Sequence, residues 1–217
     1  MGYWLGDGAS AGAQITTAEP EVIEYFEKFA NKNNLKVKHY AKYDYGISSH
    51  TGSKGGNIFL NFLKKYNLIN NKHIPDDYKM NSRKNQLKLL AGLIDSDGHY
   101  HYNTYDFTLK SEILADDIIF VARSLGFKAF KKECQKTCTN SRNGRVTGTY
   151  YRFIIYGEGL EEIPSILKRK QARAREQKKD ATVSGFKIKY QGKKTVYSMK
   201  TTGNNKILLE DFTVVHI

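Results

Sequence analysis

Two aspartates, Asp7 and Asp97, sit in two copies of one unusual pattern. The longer copy reads Leu90-Ala91-Gly92-Leu93-Ile94-Asp95-Ser96-Asp97-Gly98, and the shorter reads Gly2-Tyr3-Trp4-Leu5-Gly6-Asp7-Gly8. With Asp7 set on Asp97, Gly2 falls on Gly92, Gly6 on Ser96 and Gly8 on Gly98. The two small residues in each copy are four apart, so they share one helix face. Two such faces let helix backbones approach almost to contact, a geometry best documented in membrane helices but general in its sterics. Gly8 and Gly98 are expected to stop their helices in left-handed caps. The pattern puts two carboxylates side by side at one end of a tight helix pair. Like charges held that close are costly unless a cation sits between them, so the chemistry on offer is that of a bound cation.

The elements around the two copies follow one order twice. After Gly8 comes a short strand at Ala13 to Thr16. A helix starting near Glu19 follows, with Val22, Ile23, Phe26, Phe29 and Ala30 on one face. Asn33-Asn34 stops it. Leu35 to Tyr43 and Tyr45 to Ser49 read as strands, and Asn57 to Tyr66 as a helix with Ile58, Phe59, Phe62 and Leu63 inward. The second motif helix spans Arg83 to Asp97, and Tyr100 to Leu109 supplies strand. Ser111 caps a helix through Leu125 with Ile113, Leu114, Ile118, Val121 and Ala122 inward, and Gly126 ends it. Phe127 to Gln135 and Thr149 to Tyr156 read as strands around the basic loop Asn140 to Arg145, and Glu158 to Lys170 as a last helix. Asn34 stands 27 residues after Asp7, and Gly126 stands 29 after Asp97. Matched order at matched spacing indicates an internal duplication. The stretch from Asp7 to Glu19 is too short for two full strands, so the first sheet should be truncated.

The chain has 217 residues and 40% hydrophobic content, enough for a globular core. Its formal charge of +13 favours a polyanionic partner, and a nucleic-acid backbone is the usual one. No apolar run reaches the roughly 18 residues of a membrane span. Nothing at the start reads as a signal peptide, which points to an intracellular protein of cytoplasm or nucleus. Cys134 and Cys138 lack the partners a structural zinc site needs and read as free thiols.

The nine-residue motif ending at Gly98 resembles that of the LAGLIDADG homing endonucleases, the two-motif kind found inside inteins, and departs from the family name only at Ser96. The resemblance implies an α+β fold of two pseudo-symmetric αββαββα repeats that form a saddle over DNA. It divides the chain into a first half at 1–80, a second half at 81–180 and a remnant of an intein splicing block at 181–217. It implies that Asp7 and Asp97 are metal-binding catalytic acids, one per DNA strand, with Gly6 and Ser96 beside them at the metal. Mg²⁺ is the implied cofactor, with Mn²⁺ as a substitute, since carboxylate and water ligands suit a hard cation. The implied activity is a double-strand break in a long asymmetric DNA target, made by a monomer.

Hydrolysis of a phosphodiester needs an attacking water, a cation and a stabilised leaving oxygen, and a lysine near each phosphate can orient water and offset charge. Lys72 stands in Asn71-Lys72-His73-Ile74-Pro75, which is similar to a Lys-x-Ile-Pro element of the intein endonucleases whose lysine belongs to the active site. Ile163-Pro164 echoes it ahead of Lys168-Arg169-Lys170, so Lys170, or Lys168, is the second lysine. DNA contacts are expected from Lys36, Lys38, His39, Lys42, His99, His101, Lys128, Lys131, Lys132, Arg142, Arg145, Arg152, Arg169, Arg173 and Arg175. Strand alternation sends only about half of the strand residues to one face. The stretches Val196 to Met199 and Ile207 to His216 look like C-terminal splicing blocks, with His216 as their remnant residue. Those blocks end in His-Asn, whereas Ile217 follows His216 here, so splicing by this chain alone is not expected. Two alternatives remain: a decayed or maturase-like nucleic-acid-binding protein, and a fragment of a protein-splicing intein.

Overall fold

The computed structural model describes residues 1–50, 56–141, 144–178, 180, 183, 185–195, 197, 200 and 203–216, without the side chains of 138–141. The chain is α+β and runs through one pattern twice. The first pass is α1 (Gly2–Asp7), β1 (Gln14–Thr16), α2 (Pro20–Lys32), β2 (Leu35–Ala41), β3 (Asp44–Ser49) and α3 (Ile58–Lys65). A short helix α4 (Asp76–Lys79) connects it to the second pass. That pass is α5 (Arg83–Asp97), β4 (His99–His101), β5 (Thr104–Leu109), α6 (Glu112–Ser124), β6 (Lys128–Ser141) and β7 (Gly144–Tyr156).

The sheets show the duplication directly. The second sheet has the order β4-β5-β7-β6 and the first has β1-β3-β2. Gly8 makes one isolated bridge to Ile15. That bridge stands where β4 pairs with β5, so the expected truncation of the first sheet amounts to one missing strand. Helices α2 and α6, both of 13 residues, cover the two sheets. Pro20 opens α2 at a position where its missing N–H costs nothing. Val22, Phe26 and Ala30, four apart, form its buried face. Ser111 caps α6 by accepting from the Leu114 N–H at 3.2 Å, and Gly126 closes it at φ +90°. Ile113 and Ile58, expected inward, are exposed at 61% and 48%, because each lies in a first turn rotated off the buried stripe.

The β6–β7 hairpin is longer than the sequence suggested. Its arms continue to Ser141 and Gly144 through polar cross-strand pairs, Gln135 with Thr149 at 2.9 Å and Thr137 with Thr147 at 2.8 Å. The helix expected over Glu158 to Lys170 is instead two 3-10 turns, Leu160–Glu162 and Lys168–Lys170. Pro164 lies between them; it has no N–H to give, and Ile163 before it is extended at φ −71°, ψ 114°. In the tail, β8 (Lys206–Leu208) and β9 (Val214–His216) pair as a hairpin, and Phe212 packs edge-on against Phe120 of α6 at 4.9 Å. Val196, Ser198 and Met199 of the splicing-like block, and Ile217, lie outside the described residues. Among the described residues, no helix is long and apolar enough to cross a membrane.

Candidate nuclease site at the helix seam

Helices α1 and α5 meet backbone to backbone. A Cβ on Gly2 would lie 2.3 Å from the Leu89 carbonyl oxygen, and one on Gly92 would lie 2.8 Å from the Tyr3 nitrogen. A Cβ on Gly6 would meet Ser96 Oγ at 2.0 Å. The four small residues therefore form the seam. Ser96 folds its hydroxyl back onto its own helix, donating to the Gly92 carbonyl at 2.8 Å, so its side chain is spent on α5. Gly8 and Gly98 correct the expected left-handed caps. Both are extended, at φ −73°, ψ 145° and φ −75°, ψ 137°. Glycine is required there by crowding: a Cβ would lie 2.3 Å from the Trp4 carbonyl oxygen at Gly8, and 2.7 Å from Ile94 Cα at Gly98.

The seam delivers Asp7 and Asp97 together at the C-terminal ends of both helices. Helix C-termini carry negative partial charge, so this is a poor place for two carboxylates without cations. Burial, then the charge of Asp97, pushes the Asp7 carboxyl up to about 6. Asp97 is exposed at the mouth of the seam, yet the protein packed around its other sides still raises its carboxyl. Two lysines oppose these shifts, and each acts on both aspartates. The Lys72 ammonium donates to the Gly6 carbonyl at 2.9 Å and lies 5.3 Å above the Trp4 ring. The Lys170 ammonium donates to the carbonyls of Ile94 at 2.8 Å, Asp95 at 2.7 Å and Ser96 at 3.3 Å. Each lysine thus caps the motif helix of its own repeat. Burial holds both ammonium groups below their usual range. Lys170 is buried and Lys168 is exposed, so Lys170 is the structural counterpart of Lys72. A cleft of about 240 Å³ opens beside Asp7, between it and Ser96, Lys170, Thr17, Glu19 and Tyr43.

Asp95 and Tyr3 also belong to the seam, beyond the residues that the motif spacing marks. The Tyr3 hydroxyl donates to Asp95 at 2.7 Å across the seam. Asp95 also accepts from the Ile166 N–H at 3.1 Å and from the Ser165 hydroxyl. It therefore ties α1, α5 and the segment leading to Lys170 into one network. The available signal was asymmetry: Asp95 stands where the first copy has Leu5, and a carboxylate on an otherwise apolar helix face needs partners.

The basic candidates divide by face. In the first sheet Ile15, Val37 and Ile47 turn to the core, so Lys36 and Lys38 lie on the opposite face. His39 shares the core side at the sheet margin and stacks on Tyr45 at 4.7 Å. Lys42 is exposed in the β2–β3 turn. In the second sheet Tyr105, Phe107, Phe153 and Ile155 face the core. Lys128, Lys132, Arg152 and exposed His99 and His101 occupy the other face. Arg152 is paired there with Asp106. Lys131 points to the helix side instead and bonds Glu112 and Asp116 of α6, both at 2.7 Å. Arg145 is exposed near the tip of the long hairpin, and Arg142 lies outside the described residues. Arg169 pairs with Glu19, while Arg173 and Arg175 run past the β4–β5 turn, bonded to Asn103 and Tyr102. Among the described residues no three His, Cys, Asp or Glu side chains gather as a metal cluster. The donor set at the seam is oxygen, from two carboxylates and from the second lone pairs of the Gly6 and Ser96 carbonyls, whose first accept from Lys72 and Lys170, and it fits a hard cation completed by water.

A family model of homing endonucleases matches residues 73–187, just over half of the chain. The chain belongs to the homing endonuclease family. Among the relatives of this chain, the homothallic switching endonuclease of Saccharomyces cerevisiae is 26% identical over 254 residues, covering 96% of this chain and 41% of that protein. The replicative DNA helicase DnaB of Mycobacterium intracellulare is 34% identical over 146 residues, covering 67% of this chain and 20% of that protein. The chain thus spans less than half the length of either relative. Structures of the homing endonuclease I-DmoI, among them mesophilic variants and a complex with target DNA, superpose with a TM-score of 0.46 at 14% identity. The two cover 71% of this chain and 84% and 83% of theirs.

The shift at Asp7 has a consequence for stability. Its carboxyl is raised in the fold from an ordinary 3.8 to about 6, so the fold favours the protonated form. That contribution is present in full below about pH 4 and is lost as pH rises through about 6. In metal-free buffer, Asp7→Asn should therefore gain stability relative to the unsubstituted protein between pH 4 and pH 7. After discounting for solvent screening the gain is on the order of 1 kcal/mol. Chemical denaturation at both pH values measures it, and a difference that does not change with pH contradicts the shift.

Proposed function

We propose that this chain is a site-specific LAGLIDADG-type endonuclease that breaks both strands of a long asymmetric DNA target, acting as a monomer whose two repeats form 1–80 and 81–180. The observation that carries the reading is the paired constellation at the seam: Asp7 with Lys72, Asp97 with Lys170, one acid and one lysine from each repeat. Asp7 and Asp97, with the Gly6 and Ser96 carbonyls, would hold the divalent cation, Mg²⁺ or Mn²⁺. When bound, the cation lowers the pKa of water and offsets charge on the phosphate. Asp7 and Asp97 fix where that charge sits. Lys72 and Lys170, with ammonium groups desolvated and tethered to helix-end carbonyls, stabilise the phosphate oxygens as negative charge develops. The carbonyl tethers stop either lysine from collapsing onto the carboxylates. Lys36 and Lys38 on one sheet, with Lys128, Lys132 and Arg152 on the other, supply phosphate and base-edge contacts. A match confined to a fifth of a helicase chain also fits an element carried inside a host protein, and 181–217, with His216 in β9, is then its splicing-block remnant.

The test is incubation with a pooled library of long duplex DNA, with Mg²⁺ and with EDTA, followed by sequencing of the ends. Recurrent four-base 3′ overhangs that depend on Mg²⁺ support the endonuclease. DNA retained without new ends in either condition points to a binding remnant.

A further inference from the structure

Helix α6 buries a carboxylate among apolar neighbours. Asp117 is 8% exposed, between Leu114, Ala115, Ile118 and Val121 on the inward face. A carboxylate there is costly unless its oxygens are bonded, so packing does not explain it. Both oxygens are in use. Oδ2 accepts from the Ile74 backbone N–H at 2.7 Å, and Oδ1 accepts from the Lys79 ammonium at 2.9 Å. Ile74 and Lys79 bracket α4, so one side chain of the second repeat clamps both ends of the connection that leaves the first.

That connection begins at Lys72, two residues before Ile74. A lysine has a long flexible stem, and where its ammonium rests depends on where its Cα is held. We propose that Asp117 is a positioning residue for Lys72: by fixing the chain at Ile74 it keeps the Lys72 ammonium on the Gly6 carbonyl and over Trp4. The proposal builds on the role read above for Lys72 in DNA cleavage, but its geometry can be tested without DNA.

Trp4 is the chain's single tryptophan, and the Lys72 ammonium lies 5.3 Å above its ring. A positive charge so close shifts indole emission, so the spectrum reports the lysine's position. Lys72→Met shifts the emission. Asp117→Ala shifts it in the same direction, and adding Lys72→Met then changes little, because both act through one contact. Asp117→Asn keeps an oxygen for the Ile74 N–H but loses the charge opposite Lys79, and gives an intermediate shift. An Asp117→Ala protein that melts cooperatively with an unchanged spectrum overturns the proposal, as does a double variant whose shift is the sum of the two. If Asp117→Ala fails to fold, Asp117→Leu, which fills the same space but cannot accept from the Ile74 N–H, decides in the same way, and an unchanged spectrum overturns it. On a duplex recovered from the library, Asp117→Ala slows the same strand as Lys72→Met, by roughly tenfold to a hundredfold. Equal slowing of both strands overturns the positioning role. The emission shifts stand or fall independently of cleavage, so failure of the endonuclease reading is told apart from failure of this one.

Discussion

Asp97→Asn is expected to lower double-strand cleavage by at least about a hundredfold and to leave DNA binding intact, and Asp7→Asn is expected to do the same. The substitution keeps the shape of the side chain and one oxygen, and removes the charge that would hold the cation. It does so without disturbing the helix pair, because Asp97 is exposed at the mouth of the seam rather than packed inside it. Binding should persist because the basic residues on the two sheets, Lys36, Lys38, Lys128 and Lys132, lie on other elements. A supercoiled plasmid carrying the recovered site separates the two effects: conversion to linear DNA reports cutting, and gel retardation in EDTA reports binding. Full cutting by both single variants would sink the paired-carboxylate mechanism. Loss of binding together with cutting would mean that the aspartates hold the fold, contrary to the stability gain expected from Asp7→Asn.

The acids were legible in the sequence because a spacing of four is a geometric statement about a helix face, and two copies of it constrain each other. The same logic failed at Gly8 and Gly98. A glycine is compatible with a left-handed cap or with a neighbour too close for a Cβ, and only the surrounding atoms, Trp4 and Ile94, distinguish the two. The choice between Lys168 and Lys170 was open because Pro164 breaks helical periodicity and leaves no register to count from. In the fold it is Lys170, and not Lys168, that is buried against the end of α5. Alternation said that half of the strand residues would share a face, but not which half. The buried Phe107 and Phe153 set the phase, turning Lys131 to the helices and Lys132 to the open face. Pairings between distant residues, Tyr3 with Asp95 and Asp117 with Ile74, left no local trace beyond a polar residue in an apolar stripe.

The second large effect is expected at the seam. Gly92→Val should cost about 3 kcal/mol or more, a large share of the 5–15 kcal/mol that typically holds a domain. The first added carbon would lie 2.8 Å from the Tyr3 nitrogen and 3.1 Å from Gly2 carbons. These are backbone atoms of a neighbouring helix, so no side chain can rotate away to relieve the contact. Gly6→Ala meets a different obstacle, the Ser96 side chain, with Oγ at 2.0 Å and Cβ at 2.6 Å. Gly6→Ala should therefore be rescued by Ser96→Gly, whereas Gly92→Val should not be. Gly12→Ala, with nothing within 4 Å of the added carbon, serves as the control and should change stability by no more than about 0.5 kcal/mol. Urea melts of the three single variants, and of Gly6→Ala and Gly92→Val each combined with Ser96→Gly, test the ranking. If Gly92→Val melts with the control, the two motif helices are not in backbone contact. Asp7 and Asp97 would then be free to separate, and with them goes the physical reason for a cation between the two repeats.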